Sequence, residues 1–218
     1  MNYDKNKLRR HTKEINDIML LAQSSFKIVD YLTNPQSVIE REVINQNKFF
    51  KYSTELNWRI FVIEMAKLFS TSDRAHFYNL SKFIRKFKPD GEFGQVEEID
   101  QYSMSIWEQN LNLEKIKIDN LMLQRDKLYS HNDPNREGIK NELSFVDAKE
   151  LLNVVKRIIS EIYAAVFDQY RSYDLLNEPV EELKKIVCEL SILKQQQIND
   201  FIRHSEKNDI DPAEMGLG

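Results

Sequence analysis

Apolar residues recur every three to four positions along most of the chain, which is the spacing of one face of an α-helix. Prolines and glycines are confined to a few places between these stretches. Because both residues destabilise helix interiors, they mark helix boundaries. The pattern predicts six helices, over roughly 4–33, 37–69, 72–88, 97–130, 144–172 and from 179 onward. It shows no alternating strand pattern, so the predicted fold is all-α, an antiparallel helical bundle.

The last predicted helix lies beyond the region in which the other five would form the bundle. Its apolar stripe is too strong for a free tail and comprises Leu183, Val187, Leu190, Ile198 and Phe201. We therefore predict a helical bundle over residues 1–172, a C-terminal helix over 173–208 that packs on the bundle or on a dimer partner, and a flexible tail over 209–218.

The end of the fourth predicted helix carries an arginine and a histidine six residues apart, Arg125 and His131. Counting back from Arg125 by helical steps reaches a largely apolar face, formed by Leu121, Ile118, Glu114, Leu111 and Trp107. A guanidinium on that face needs a carboxylate, backbone carbonyls, a wet cleft or a phosphate, because it cannot lose its charge. The turn residues Asn132-Asp133-Pro134 end the helix and let His131 swing toward Arg125. The alternative is that Arg125, Lys127 and His131 only offset the negative end of the helix dipole.

The segment from Arg125 to Asp133 resembles the active-site motif of the HEPN superfamily (higher eukaryotes and prokaryotes nucleotide-binding domains), in which a few residues separate an Arg from a His. A finer sequence pattern is similar to the AbiU-like abortive-infection branch of this superfamily. It consists of Arg125-Asp126-Lys127 followed by His131 and Asp133, with Asn57-Trp58-Arg59-Ile60-Phe61 upstream. The resemblance covers roughly residues 10–172. It implies a HEPN-type bundle, to which the C-terminal helix predicted above is an addition. It also implies a metal-independent endoribonuclease without a cofactor that acts as a toxin or in abortive infection.

The same resemblance assigns roles to individual residues. Arg125, Asp126 and His131 would form the catalytic site. Independently of the resemblance, Lys127 lies in the motif and Arg136 and Lys140 follow it directly, so that these cations could hold the RNA. Tyr129, also in the motif, could stack on a base or pack against the protein. HEPN domains dimerise so that two such motifs face each other across one cleft, which makes a homodimer the expected assembly. RNA is the expected partner, and an antitoxin or a nucleotidyltransferase would be a regulatory partner.

Two positions depart from the family pattern. Many catalytic members carry Asn directly after the Arg, where this chain has Asp126, whose carboxylate would repel a phosphate unless it pairs with a cation. Members that are regulated by a nucleotidyltransferase often have Tyr just beyond the His, where this chain has Asn132, so that regulation is not carried over. The first departure favours an alternative function, a non-catalytic HEPN-like module that binds RNA or a partner protein. An antitoxin or regulator ranks third, since the sequence has no basic recognition helix that would read DNA.

Composition narrows the function classes further. The 218 residues are 41% hydrophobic, enough for a core, and the net charge of −4 provides no overall basic field, so that RNA contacts must come from local patches. The single cysteine, Cys188, excludes an internal disulfide framework, and the four histidines form no zinc-binding pair. The sequence shows neither an apolar signal core at its start nor an apolar run long enough to cross a bilayer. We expect a cytoplasmic protein without a metal that contacts neither membrane nor DNA.

Two stretches around residue 90 complete the candidates. Charged and apolar residues alternate from Lys82 to Lys88, so that this segment could hold a phosphate backbone or simply offset a helix dipole and face solvent. The following Gly91-Glu92-Phe93-Gly94 is too short and too acidic for a phosphate-binding loop, and we predict a flexible connector there.

Overall fold

The structure is a computed structural model that describes residues 3–70, 77–130, 143–173 and 179–207, without the side chains of 128–130 and 206–207. Within these ranges the chain forms α-helices and a π-helical turn and no β-strand, so the all-α prediction is confirmed. None of the described helices is long and apolar enough to cross a membrane. The helices are α1 (Lys5–Thr33), α2 (Val38–Gln46), α3 (Lys48–Phe69), α4 (Leu80–Arg85), α5 (Gln101–Leu113), α6 (Lys115–Gln124), α7 (Phe145–Phe167) and α8 (Pro179–Lys207), and the π-helical turn is Arg125–Ser130.

The chain divides into two compact units. The larger unit comprises Met1–Phe26 and Leu56–Leu176, and the smaller unit comprises Lys27–Glu55 and Asn177–Gly218. Helices α1 and α3 each contribute residues to both units.

The core of the larger unit is built on α7, the most amphipathic of the predicted elements. One face of this helix is buried from Ala148 to Phe167, at the spacing of three and four that the sequence showed. Aromatic rings fill the space around it, and those of Trp58 and Phe61 stack at 5.3 Å between centroids. The largest side chains that are fully buried here are Trp107, Phe61, Phe83, Phe93, Leu8, Ile15, Met19, Met65, Leu68, Leu80, Ile84 and Leu121.

The smaller unit has its own apolar core, which α8 shares with the end of α1, with α2 and with the start of α3. Its buried members are Tyr31, Leu32, Ile44, Phe50, Val180 and Val187. Lys194 on α8 pairs with Glu42 on α2 at 2.8 Å and donates a hydrogen bond to Gln46 at 3.1 Å. Of the predicted stripe of α8, Val187 is buried and Leu183 and Leu190 pack against this core, whereas Ile198 and Phe201 are 38% and 74% exposed.

Asparagine side chains change the bounds of two predicted helices. The prediction of one helix over 37–69 is wrong at Asn47, which has extended backbone and whose Oδ1 accepts the N–H of Phe49 at 2.9 Å. The predicted helix over 72–88 covers too much, because α4 begins after Asn79, whose Oδ1 accepts the N–H of Lys82 at 2.9 Å. The first five residues of the predicted range, 72–76, lie outside the described residues. Asparagine competes with helical hydrogen bonds in this way because its short amide reaches the nearby backbone.

The fourth predicted helix, over 97–130, is also shorter and divided. It begins after Asp100, whose Oδ1 accepts the N–H of Ser103 at 2.7 Å, and it breaks at Glu114, where ψ is 8°. Asn110 and Asn112, both weak helix formers, precede the break. The fifth predicted helix begins as expected after Ser144 but ends at Phe167 rather than near 172.

The connector between α4 and α5 is folded rather than flexible. Phe93 is fully buried, and its N–H donates to the carbonyl of Lys86 at 2.6 Å. A Cβ at Gly91 would overlap the carbonyl oxygen of Lys86, and one at Gly94 would overlap that of Lys88. The prediction of a flexible connector is therefore wrong, since the two glycines allow the backbone to fold closely onto itself.

Candidate functional site

The predicted motif begins where α6 ends. The backbone N–H of Arg125 donates to the carbonyls of Leu121 and Met122 and closes the helix. The chain then continues through the π-helical turn Arg125–Ser130. π-Helical turns are rare in proteins, and those that occur are often found at functional sites. The wider turn changes the direction in which its side chains point. The sequence did not predict this change of helix type.

Arg125 lies on the inward side of its helix, as the helical count predicted. Trp107 and Leu121 on the same stripe are fully buried, and Leu111 and Ile118 are half-buried. The side chain of Arg125 is 26% exposed. A permanent charge is thus held largely out of water and needs a partner.

The carboxylate of Asp126 is that partner. Its Oδ1 accepts Nε–H of Arg125 at 2.7 Å and lies 2.5 Å from Nη2. Two N–H groups of the guanidinium therefore converge on one oxygen, and the side chain of Asp126 is half exposed. Of the partners that the sequence left open for Arg125, the structure provides a carboxylate from the neighbouring residue.

Polar contacts of Lys117 and Trp107, partly buried or exposed, link α5 and α6 to α7. The ammonium of Lys117 donates to Glu114 at 2.5 Å and to Glu150 on α7, and these two hydrogen bonds raise the pKa of Lys117. Farther along, Nε1–H of Trp107 on α5 donates to Glu161 on α7. The start of the motif is thus anchored to the best-packed helix of the larger unit.

The next residues that the structure describes, from Leu143 onward, lead into α7. Leu143 is buried, and Ser144 caps the helix, since its Oγ accepts the N–H of Asp147 at 3.1 Å and Asp147 accepts the N–H of Ser144 at 3.2 Å. The ring of Phe145 then stacks on Trp58 with centroids 5.1 Å apart. The capping box Ser144-Phe145-Val146-Asp147 starts the helix at the residue where the sequence predicted it to begin.

The structure brings together only part of the predicted site. Arg125 and Asp126 are paired, and Lys127 is exposed in the same π-helical turn. Tyr129 belongs to that turn by its backbone, but its side chain is not described. The remaining predicted residues, His131, Arg136 and Lys140, lie outside the described residues, so their roles stay predictions.

The basic segment Lys82–Lys88 is largely structural. Its apolar members, Phe83, Ile84 and Phe87, are buried. Lys86 pairs with Glu92 at 2.8 Å, and Lys88 pairs with Glu108 at 2.9 Å. Because two of its charges are already neutralised, the segment does not form an open basic strip along which a phosphate backbone would bind.

A buried histidine next to this segment was not singled out by the sequence. His11 is 3% exposed, and its ring stacks on Phe83 with centroids 4.8 Å apart and an interplanar angle of 8°. Nδ1 lies 3.5 Å from the ammonium of Lys86. Burial, and then the positive charge of Lys86, lower the pKa of His11 to about 4. Because the imidazole is sealed from solvent, we interpret it as part of the core and not as a catalytic group.

A surface pocket of about 500 Å³ lies beside the start of α5. It is lined by Lys88, Pro89, Gln101, Tyr102, Met104, Ser105 and Glu108, and by none of the predicted site residues. Among the described residues, no three histidine, cysteine or acidic side chains form a group that could hold a metal ion.

Comparisons of the chain with protein-family models, with curated proteins and with solved structures give no match.

Proposed function

We propose that this chain is a metal-independent endoribonuclease of the HEPN type that acts in the cytoplasm as a toxin or in abortive infection. The observation that carries the proposal is the environment of Arg125: a guanidinium mostly shielded from water, oriented by Asp126, in a π-helical turn six residues before His131. A permanent cation in a low-dielectric position is suited to stabilise charge on a phosphate.

The proposed reaction needs only one base, one acid and a cation. His131 removes the proton from a ribose 2′-hydroxyl, and the 2′-oxygen attacks the adjacent phosphorus. The bond from phosphorus to the 5′-oxygen breaks, and the leaving oxygen takes up a proton from the protonated His131 or from water. Arg125 stabilises the charge that develops on the phosphate oxygens. The products are a 2′,3′-cyclic phosphate and a 5′-hydroxyl, with Lys127, Tyr129, Arg136 and Lys140 holding the RNA strand.

Asp126 is proposed to orient Arg125. Its Oδ1 fixes the guanidinium by two N–H groups, which leaves the other edge of the fork for a phosphate. We expect Asp126→Asn to keep this hydrogen bond without the negative charge and to cleave at least as fast as the parent. Asp126→Ala, which removes the acceptor, should slow cleavage by about tenfold or more. Equal rates for both variants and the parent would show that the residue does not position Arg125.

A homodimer with the α5–α6 region at its interface is proposed as the active assembly. The supporting observation is that Leu113, Ile116 and Leu123 are large apolar residues exposed on this region. Ile116 and Leu123 lie about 160–180° around α6 from Arg125, so the end of the helix, and not this apolar stripe, would face the shared cleft. An antitoxin or a nucleotidyltransferase that binds the chain is the proposed class of regulatory partner; modification beyond the histidine is not part of the proposal, because Asn132 stands where those members have Tyr.

One observation favours a second candidate function, a non-catalytic HEPN-like module that binds RNA or a partner protein. The ion pair with Asp126 neutralises part of the charge that Arg125 would offer to a phosphate. In this case the motif would position a strand or a partner without cutting it.

The test is to incubate purified protein with single-stranded and hairpin RNA in the presence of EDTA. The proposal predicts fragments that end in 2′,3′-cyclic phosphate. Cleavage that requires an added divalent metal would contradict the mechanism, and RNA that is bound but remains intact would favour the second candidate.

A further inference from the structure

Four cations converge on one flank of the larger unit, far from the motif in sequence. Lys5, Arg9 and Lys13 follow one another at intervals of four along α1 and therefore lie in a line. Arg171 joins them from the segment that follows α7. We call these four residues the α1 cation patch.

Two aromatic rings at the end of α7 hold the patch in place. The guanidinium of Arg171 lies over the ring of Tyr163 at 4.0 Å, and that of Arg9 lies over Phe167 at 4.9 Å. The ammonium of Lys5 is 5.9 Å from the same Phe167 ring. Both rings are buried, so their positions are fixed beneath the exposed cations. A guanidinium that is stacked by its face keeps its N–H edge available for acceptors in solution.

The backbone around Arg171 is anchored and is not a loose tail. The hydroxyl of Tyr173 donates to Asn16 on α1 at 3.0 Å, and Nε2 of Gln23 donates to the carbonyl of Tyr173 at 2.9 Å. At the other end, Asp168 adopts the left-handed conformation with φ of 51° and ends α7. The position of Arg171 is therefore set on both sides.

In the described part of the chain, Arg9 and Arg171 form no ion pair with a carboxylate. Asp17 pairs with Lys13, and Asp4 accepts the backbone N–H groups of Asn6 and Lys7 at 3.0 Å each. In a chain whose net charge is −4, this flank is a local exception that general solubility does not explain.

An exposed aromatic ring adjoins the patch. Tyr170 is 90% exposed and directly precedes Arg171. Cations at regular spacing together with an exposed ring are the combination that binds a single strand, because the cations meet phosphates and the ring stacks on a base. A membrane surface would call for apolar residues that insert, and among the described residues of 5–13 and 163–173 Tyr170 is the one large apolar side chain that is exposed.

We infer that the α1 cation patch binds the phosphodiester backbone of single-stranded nucleic acid, with Tyr170 stacking on a base. This inference does not depend on the proposed ribonuclease activity. The patch would act as a docking surface for a strand whether or not the motif cleaves it.

The test measures the binding of fluorescently labelled 2′-O-methyl RNA and of DNA of the same sequence by anisotropy. The 2′-O-methyl group prevents attack by the 2′-oxygen, so binding is measured without cleavage. The inference predicts that the double variant Arg9→Gln and Arg171→Gln raises the Kd at least about tenfold and makes the dependence of log Kd on log salt shallower by about one to one and a half. Comparable binding of the DNA would support recognition of the shared backbone.

Matched variants separate the patch from a general effect of charge. Arg41→Gln combined with Lys149→Gln removes the same charge from two other exposed positions and should leave the Kd within about twofold. Tyr170→Ser, at a fully accessible side chain, should weaken binding several-fold without changing the salt dependence. Circular dichroism melting verifies that every variant is folded.

Three results would overturn the inference. The first is a double variant of Arg9 and Arg171 that binds as tightly as the parent. The second is an equal loss of binding in the double variant of Arg41 and Lys149. The third is protein that binds vesicles of anionic phosphatidylglycerol but neither oligonucleotide, which would assign the flank to a membrane surface.

Discussion

Protonation of the buried His11 should destabilise the larger unit below neutral pH. Its ring is stacked on Phe83 and 3% exposed, and the ammonium of Lys86 lies 3.5 Å from Nδ1. Burial and this positive charge lower the pKa from 6.5 to about 4. A charged imidazole in this position would lack solvent and would face a like charge.

The sign and the size of the effect follow from linkage between protonation and folding. Because the pKa is lower in the folded state, the unfolded chain binds the proton more readily between about pH 6.5 and pH 4. The contribution of His11 to stability is therefore complete above pH 6.5 and is lost as the pH falls toward 4. At about 1.4 kcal/mol for each unit of pKa difference, the full loss is about 3 kcal/mol, of which about 2 kcal/mol is already lost at pH 5.

Urea unfolding at pH 7.5 and at pH 5, monitored by tryptophan fluorescence, measures this loss. Both tryptophans, Trp58 and Trp107, belong to the larger unit and report on it directly. The parent should lose about 2 kcal/mol more between the two pH values than His11→Phe, which keeps an aromatic ring but cannot titrate. His204→Gln, which changes an exposed histidine, should keep the pH dependence of the parent. If His11→Phe and the parent lose the same free energy, the buried imidazole is not the origin of the pH dependence.

Three further predictions test the packing of the two units. Asp168→Gly should leave the free energy of unfolding unchanged or raise it by up to about 1 kcal/mol. Asp168→Val should lower it by about 1–2 kcal/mol, because a β-branched residue is strained at a φ of 51°. Equal stability of the two variants in urea unfolding would contradict this prediction. Gly91→Ala should lower the free energy of unfolding by at least about 2 kcal/mol, because the new Cβ would overlap the carbonyl oxygen of Lys86. An unchanged melting temperature would show that the connector can relax. Val187→Asp should lower the free energy of unfolding by more than about 3 kcal/mol, because it places a carboxylate in the core of the smaller unit. The same change at the exposed Ile186 should lower it far less. Similar melting temperatures of the two variants would count against burial of Val187.

The helical fold was predictable from the sequence because its signals are local. The stripe of α7 alternates every three to four residues, and the Ser144–Asp147 box marks the start of that helix within four residues. The inward position of Arg125 followed from the same helical count. Each of these signals needs only neighbours along the chain, and tertiary packing agrees with them.

The interruptions of the helices were not predictable in the same way. Asn47 and Glu114 stand within continuous apolar patterns, and a single capping amide or a local change of ψ is enough to divide a helix there. The π-helical turn at Arg125 has no signal in the hydrophobic spacing, because one additional residue per turn changes the spacing only locally.

Contacts between distant segments were beyond reach of the sequence pattern. The core of the smaller unit joins Tyr31 and Phe50 to Val187, and the α1 cation patch joins Arg9 to Arg171. Helical periodicity shows which face of an element is apolar but not which element covers it. The sequence also did not show that two cations of the basic segment Lys82–Lys88 are paired, Lys86 with Glu92 and Lys88 with Glu108.

The most direct test of the proposed function is the rate of RNA cleavage by His131→Ala relative to the parent in a single turnover with EDTA present. The proposed mechanism predicts a fall of at least about a hundredfold, as expected when a general acid or base is lost, and a similar fall for Arg125→Ala. His204→Ala should cleave at the rate of the parent, because that histidine lies on α8, outside the motif. A His131→Ala protein that is folded and cleaves RNA as fast as the parent would contradict the assignment of this histidine and, with it, the proposed HEPN-type mechanism.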